Sequence, residues 1–377
     1  MDVSVFATRT DFRNIANVKS TKEYIIGLDL GYSATKCITE DSAFCVPSFA
    51  REIRGEIIGG LSSDEIIYTN ENGRSYSVGE RALKGLKHGE NVKETSIYGR
   101  NHYQAPEYLI QFRVGLGIAL WNKKDTDERP FFIKTGLPPA YLAEDSAYMR
   151  KIMEGHHKFT LRRGNSVKEF DITVDSKQID IIIQPMGTII SIGTEDYGKN
   201  QSKVGHFLRS RILIFDVGFG TLDTFYLRDS EVEARDTDER LGMKRVLEEA
   251  RNAIFKDYPN AKTFLSIPKM QECLATGSFS YVDRVNLRED TIHIAPYIQA
   301  ANEKVREEAF DSQKDNYADI DYLVMTGGLG GAWHQYFEER LKGLRVTVMK
   351  GNAQSDGLPF IYANARGYYM AHYGSTK

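Results

Sequence analysis

Hydrophobic runs of strand length, each stopped by glycine or proline, recur along this chain and alternate with longer stretches of helical spacing. From Tyr24 to Thr39 the pattern predicts a strand, a tight turn and a returning strand, and the same pattern restarts at Ile212. Apolar runs at 65–68 and 75–79 flank Asn70-Glu71-Asn72-Gly73, a hairpin with Asn-Gly at its turn. Leu109, Phe112, Leu116 and Leu120 fall at helical spacing and predict a core-facing helix over 108–121. A buried strand over 130–136 is stopped by Leu137-Pro138-Pro139, then come a helix over 143–153 and strands at 169–174 and 179–183. Residues 193–211, polar and glycine-containing, predict a crossover to a second domain. Beyond it lie a helix over 239–257, short helices with a strand near 291–293, and a buried strand at 322–326. That strand runs into Gly327-Gly328-Leu329-Gly330-Gly331, read as a turn with a helix starting at Ala332. A short strand at 346–349 and an aromatic-rich helix over 359–372 close the chain, and residues 1–21, without clear period, read as an N-terminal arm. Strands mixed with helices give an α/β class, and the repeated opening indicates two related halves.

Composition adds limits. At 377 residues there is length for two cores. With 49 Lys+Arg against 52 Asp+Glu the net charge of -3 offers no basic surface to nucleic acid, so direct DNA contact is not expected. Cys37, Cys45 and Cys273 are odd in number and lack metal-ligand spacing, which argues against a disulfide framework and fits a reducing cytoplasm. No run reaches the ~20 apolar residues of a membrane helix.

The chemistry concentrates in the two repeated turns. In Asp29-x-Gly31-x-Ser33-x-x-Lys36, glycine lets the backbone approach an anion, and a hydroxyl and an ammonium complement phosphoryl charge. Asp216-x-Gly218-x-Gly220-Thr221-x-Asp223 has the same order of roles. One such turn alone is an ordinary hairpin; two, facing each other, can grip a nucleotide's phosphates from both sides. Asp29 and Asp216 at strand ends suit a hydrated Mg²⁺, which keeps several waters and uses few carboxylates. The glycine run at 327–331 would let the backbone lie against a flat ligand such as adenosine.

This order of phosphate turn, apolar strand with Gln-Pro, second phosphate turn and Gly-Gly turn resembles the actin fold shared by actin, the large heat-shock chaperones and sugar kinases. Within it the chain is most similar to the bacterial actin-like plasmid-segregation proteins, the ParM family, from about Tyr24 to Tyr373. Tyr76-Ser77-Val78-Gly79-Glu80-Arg81-Ala82, Thr135-Gly136-Leu137-Pro138 and Ala363-Asn364-Ala365-Arg366-Gly367 carry further resemblance. The resemblance implies two ribonuclease-H-like domains around an interdomain nucleotide cleft: domain I over 22–200 plus 355–377, domain II over 201–354. It assigns Asp29, Gly31, Tyr32, Ser33 and Lys36 to the first phosphate loop, and Asp216, Gly218, Gly220, Thr221 and Asp223 to the second. Gly327, Gly328 and Leu329 resemble the adenosine loop, and Lys244 falls where the sugar or base would be contacted. Gln184 matches the residue that orients the attacking water, although here Pro185 follows it where segregation proteins commonly have a preceding Pro. The implied activity is slow hydrolysis of ATP with Mg²⁺, since a neutral amide is a poor base. The implied partners are further copies of the chain in a head-to-tail filament and a DNA-binding adaptor.

Two other readings compete. A sugar or small-molecule kinase needs a carboxylate base, for which Asp223 is available. A membrane-bound actin-like scaffold needs an exposed amphipathic anchor, for which the arm offers Val3, Val5, Phe6 and Phe12. His156-His157, in a charged setting, read as solvated surface, and so does the basic stretch Lys84, Lys87, His88 and Lys93.

Overall fold

The computed structural model describes residues 2–15, 20–57, 59–85, 100–194, 203–283, 287–353 and 357–375. Lys87, His88 and Lys93 lie outside them.

Each repeated turn opens a mixed sheet, and the two sheets share one strand order. In the second half the order is Glu231–Asp238, Leu222–Arg228, Ile212–Val217, Tyr322–Thr326, Thr347–Lys350. The first three strands pair antiparallel and the last three parallel. In the first half Ser42–Pro47, Ala34–Ile38, Tyr24–Leu30, Phe131–Leu137 and Ile179–Ile183 repeat this arrangement. The central strands Tyr24–Leu30 and Ile212–Val217 are buried throughout, because helices cover both faces of a sheet with parallel strands.

Residues 1–21 depart from the expected arm. Asp11–Asn14 pairs antiparallel with Ser42–Pro47, adding a sixth edge strand to the first sheet. Upstream, the short 3-10 segment Val3–Phe6 buries Val3 and Phe6 in the apolar cluster of the second half. Arg163 lies over the Phe12 ring, so of Val3, Val5, Phe6 and Phe12, the residues offered as an anchor, Val5 alone is exposed.

A second sheet, Ser166–Val174, Gly155–Arg163, Ile66–Asn70, Ser75–Val78, Ala50–Glu52, stands on the first half. The predicted hairpin is here, with Gly73 at φ 77° in its turn. Gly155–Arg163 was not legible as a strand: its polar residues alternate with His157, Phe159 and Leu161, which point inward. His157 is therefore buried, its Nε2 2.9 Å from the Met153 carbonyl oxygen, while His156 meets Asp171 at 2.6 Å on the surface. The helix Pro106–Ala119 lies between the two sheets and is buried on both sides, not along one stripe. A Cβ on Gly115 would lie 3.1 Å from Leu28, and one on Gly117 2.6 Å from Leu161, so the two glycines admit the two sheets.

Two helices join the halves. Gln184–Gly193 follows the last strand of the first sheet and packs Ile189 and Ile192 against Ile212, Ile214 and Val324 of the second. The closing helix Ala363–Ser375 packs Ala365 and Tyr369 against Ile25 and Ile38 of the first sheet. They meet backbone to backbone: a Cβ on Gly367 would lie 1.7 Å from the Gly187 carbonyl oxygen. Arg366, fully buried, donates to the carbonyls of Ser191 and Thr194 at the end of Gln184–Gly193, where the helix dipole favours a cation.

Gly367→Ala is expected to cost at least ~1–3 kcal/mol through overpacking. Gly343→Ala, whose Cβ would meet nothing within 4 Å, is expected to stay within ~0.5 kcal/mol of the parent. Calorimetric midpoints of the two variants check the difference.

Candidate functional site

The two repeated turns close in the same way. Gly31 N–H donates to the Ala34 carbonyl at 3.1 Å, and Gly218 N–H to the Thr221 carbonyl at 2.9 Å. Both turns lie at sheet ends facing one interdomain cleft, which Asp29, Gly31, Tyr32, Ser33, Lys36, Gln184, Asp216, Gly218, Thr221, Asp223, Gly327, Gly328 and Leu329 line together. Gly220 stands just behind this wall, with the Tyr32 ring 3.1 Å from where its Cβ would be. Lys244 is not part of the lining; its backbone N–H donates to the Phe219 carbonyl at 2.7 Å, and the preceding Met243 faces the cleft.

Local structure explains these placements. Gln184 is the first residue of its helix, and Pro185 sits in the first turn, where a missing N–H costs nothing. The helix expected at Ala332 begins five residues earlier, at Gly327, because φ of 79° there turns the chain directly out of the strand. Only glycine fits: a Cβ would lie 2.4 Å from the Val217 carbonyl oxygen and 2.6 Å from Asp216 Oδ1. The helix expected from Glu239 begins at Met243, after Gly242, whose Cβ would lie 2.6 Å from the Phe219 carbonyl oxygen.

Polar contacts within the cleft are specific. Lys36 Nζ lies 3.0 Å from Asp29 Oδ2. Gln184 Nε2 donates to Asp216 Oδ2 at 2.8 Å. Burial works against the Lys36 ammonium, but Asp29 beside it holds its pKa above the ordinary lysine value. Burial raises the Asp216 pKa, opposed by amide donors from Asn364 and Gln184. Asp223 is pushed up to about 8 by burial and by the neighbouring Asp216 charge. Its Oδ1 has no hydrogen-bond partner, and neither has Thr326 Oγ1 on the cleft wall. Buried oxygens of this kind in a cleft can be met by a polar ligand or by water.

Several residues that line the cleft or bridge the two halves carry no signal in the sequence. Val5 to Arg9 line the cleft because the N-terminal segment crosses it, and no periodicity there signals this. Tyr141, next to the Pro138-Pro139 stop, donates to Glu239 of the other half at 2.6 Å. Asn364 was visible only as one letter of a resembling helix; its amide reaches Asp216 at 2.7 Å.

Residues 27–187 match the family model described as actin like proteins N terminal domain. No curated protein matches the chain by sequence. Among solved structures, the pCBH ParM non-polymerisable quadruple mutant is 18% identical with a TM-score of 0.69, covering 93% of this chain and 99% of that one. The ParM of a 15-stranded filament from Clostridium botulinum is 17% identical with a TM-score of 0.69, covering 94% and 99%. An archaeal actin homolog in complex with ADP is 17% identical with a TM-score of 0.58, covering 93% and 99%. The chain thus has the actin-like fold of the ParM proteins, as the motifs implied.

Because the folded state holds a proton on Asp223 that the unfolded chain gives up near its ordinary pKa of 3.8, stability from this group is full below that value and falls as pH rises toward about 8. Asp223→Asn removes this loss. In Mg²⁺-free buffer the variant's thermal midpoint is expected to exceed the parent's by a few degrees at pH 8 and to converge with it near pH 4. A pH series of melting curves checks the sign.

Proposed function

We propose that this chain is an actin-like ATPase that polymerises head to tail with ATP and weakens its filament after hydrolysis. The observation that carries the reading is the facing of the two Asp turns across one cleft, with Gln184 bonded to Asp216 at 2.8 Å. Duplicated sheets alone require neither the paired aspartates nor a glutamine at the junction.

The backbone of the Gly31 and Gly218 turns would hold the phosphates from two sides, and Lys36 would balance the charge that develops on transfer. Gly327 and Gly328 would lie against the nucleoside. With Nε2 committed to Asp216, Gln184 keeps its carbonyl oxygen to accept from a water and orient it. An amide orients water without taking its proton, so turnover is slow, which suits a timer. Asp29 and Asp216 fit a hydrated Mg²⁺, and the orphaned Asp223 and Thr326 oxygens fit a ligand shell of water. When bound, that ion would neutralise phosphate charge.

Support for self-association comes from the fold relatives, one of which is a ParM filament. A heterologous contact that does not close gives an open polymer. We extend the reading to a cytoplasmic filament that segregates plasmid DNA through a DNA-binding adaptor, in keeping with the near-neutral charge. A membrane scaffold is less well supported, because Val3 and Phe6 are buried in the fold and Phe12 is packed under Arg163. Among the described residues no helix is long and apolar enough to cross a membrane.

Sedimentation and electron microscopy with ATP, ADP and no nucleotide test the proposal. Filaments are expected with ATP and fewer with ADP. Asp216→Ala is expected to slow phosphate release at least ~100-fold, as loss of one electrostatic group at a reacting centre does. A monomer in every nucleotide state, with no acceptor-independent phosphate release, overturns it.

A further inference from the structure

The closing helix supplies a group that the reading above does not use. Asn364 is buried, and its Nδ2 donates to Asp216 Oδ2 at 2.7 Å. Its Oδ1 accepts from Thr188 Oγ1, also at 2.7 Å. A carboxylate only accepts, so the amide must turn its NH₂ to Asp216, and the Thr188 hydroxyl then fits the oxygen that remains. Thr188 lies one turn after Gln184 on the same helix face, so both reach Asp216, one directly and one through Asn364. Helix packing fixes the distance. Gly187 and Gly367 touch, and a Cβ on Gly187 would lie 3.0 Å from the Asn364 carbonyl oxygen.

We propose that Asn364 is a positioning residue that anchors Asp216 in the cleft, with Thr188 holding Asn364 in turn. This rests on the nucleotide-site reading. The anchor matters because Gln184 shares the same Asp216 oxygen: a carboxylate held by Asn364 fixes the Gln184 amide bonded to it, and so the direction of the carbonyl oxygen left for a water. Neighbours that orient a metal-facing group in this way are worth ~10–100-fold in activity or metal affinity.

Asn364→Asp keeps the shape and the acceptor for Thr188 but replaces the donor with a second carboxylate. Thr188→Val keeps volume and removes the hydroxyl. Expected in Asn364→Asp is a ~10–100-fold fall in kcat and loss of the Mg²⁺ enhancement of ADP binding. Thr188→Val should fall the same way by a smaller factor, and the double variant should equal Asn364→Asp, because the two act in series. A lowered melting midpoint with parental kcat and Mg²⁺ response in both variants reduces Asn364 to packing and overturns the proposal. Absence of ADP binding in the parent overturns the nucleotide reading itself.

A separate observation concerns the N-terminus. Phe6 shares a buried cluster with Met243 and Leu329 and lines the cleft with them beside Gly327 and Gly328. Val3 is anchored near Gly277, while Thr10 N–H donates to Glu80 at 2.6 Å and Tyr362 Oη to Asp11 at 3.0 Å. Both ends of this segment are thus tied, one to each half, with an aromatic ring seated between. We infer that Val3 to Arg9 form a strap that competes with the base of a nucleotide at the Gly327 end of the same site. Full-length Val3→Ser/Phe6→Ser is expected to bind ADP ~10-fold more tightly than the parent, since less of the protein is closed to ligand. Hydrogen exchange at residues 3–9 of the parent is expected to quicken on ADP addition. Weaker or equal binding in the variant, or slower exchange with ADP, makes the segment a wall of the site and overturns the strap.

Discussion

Everything in the cleft depends on how closely two helices can approach. Gly187 and Gly367 let Gln184–Gly193 and the closing helix touch through their backbones. One helix is packed on the second sheet and the other on the first. The closing helix also sinks into its own sheet through glycine: a Cβ on Gly27 would lie 2.3 Å from the Ala365 carbonyl oxygen, and one on Gly136 2.1 Å from Tyr368 Oη. Larger residues at these points would push the sheets apart, and the aspartates at the strand ends would separate with them. Because interiors are close-packed, such a shift would not be absorbed locally.

The same closeness creates an electrostatic debt. Asp29, Asp216 and Asp223 are all buried, and Lys36 is the cation paired within them. Folding alone answers with amide donors to Asp216 and a proton on Asp223. Both answers are incomplete, since Asp223 Oδ1 and Thr326 Oγ1 are left without partners. Buried acids without matching cations destabilise a fold, and the Mg²⁺ of the proposed function would relieve them here.

What the sequence made legible was local. The two strand-turn-strand units, the hairpin at Asn70–Gly73 and the buried strand at Tyr322–Thr326 are short-range patterns, and each stands where its residues predicted. Thirteen of the fifteen residues assigned to the site line one cleft. Lys244 does not, because the helix starts at Met243 and so turns that neighbour inward. The strand Gly155–Arg163 was obscured by its charged face, and the helix start at Gly327 by glycine's reputation as a breaker. Asn364, Tyr141 and Val5 to Arg9 owe their places to contacts across 148, 98 or more than 200 positions of chain, which no local pattern encodes.

The two chain ends make the last point. The five-strand pattern of each half is complete without residues 2–15, yet these add an edge strand to one half and bury Val3 and Phe6 in the other. Residues near the opposite terminus do the converse: Tyr362 Oη bonds Asp11, Ile361 lines the cleft, and Asn364 reaches Asp216. Any opening of the cleft must therefore disturb a buried apolar contact at one end of the chain and a buried hydrogen bond at the other. Packed contacts of this kind switch between discrete arrangements more readily than they stretch. A ligand that prefers one arrangement would then move both termini together, which gives a nucleotide in the cleft leverage over surfaces it does not touch.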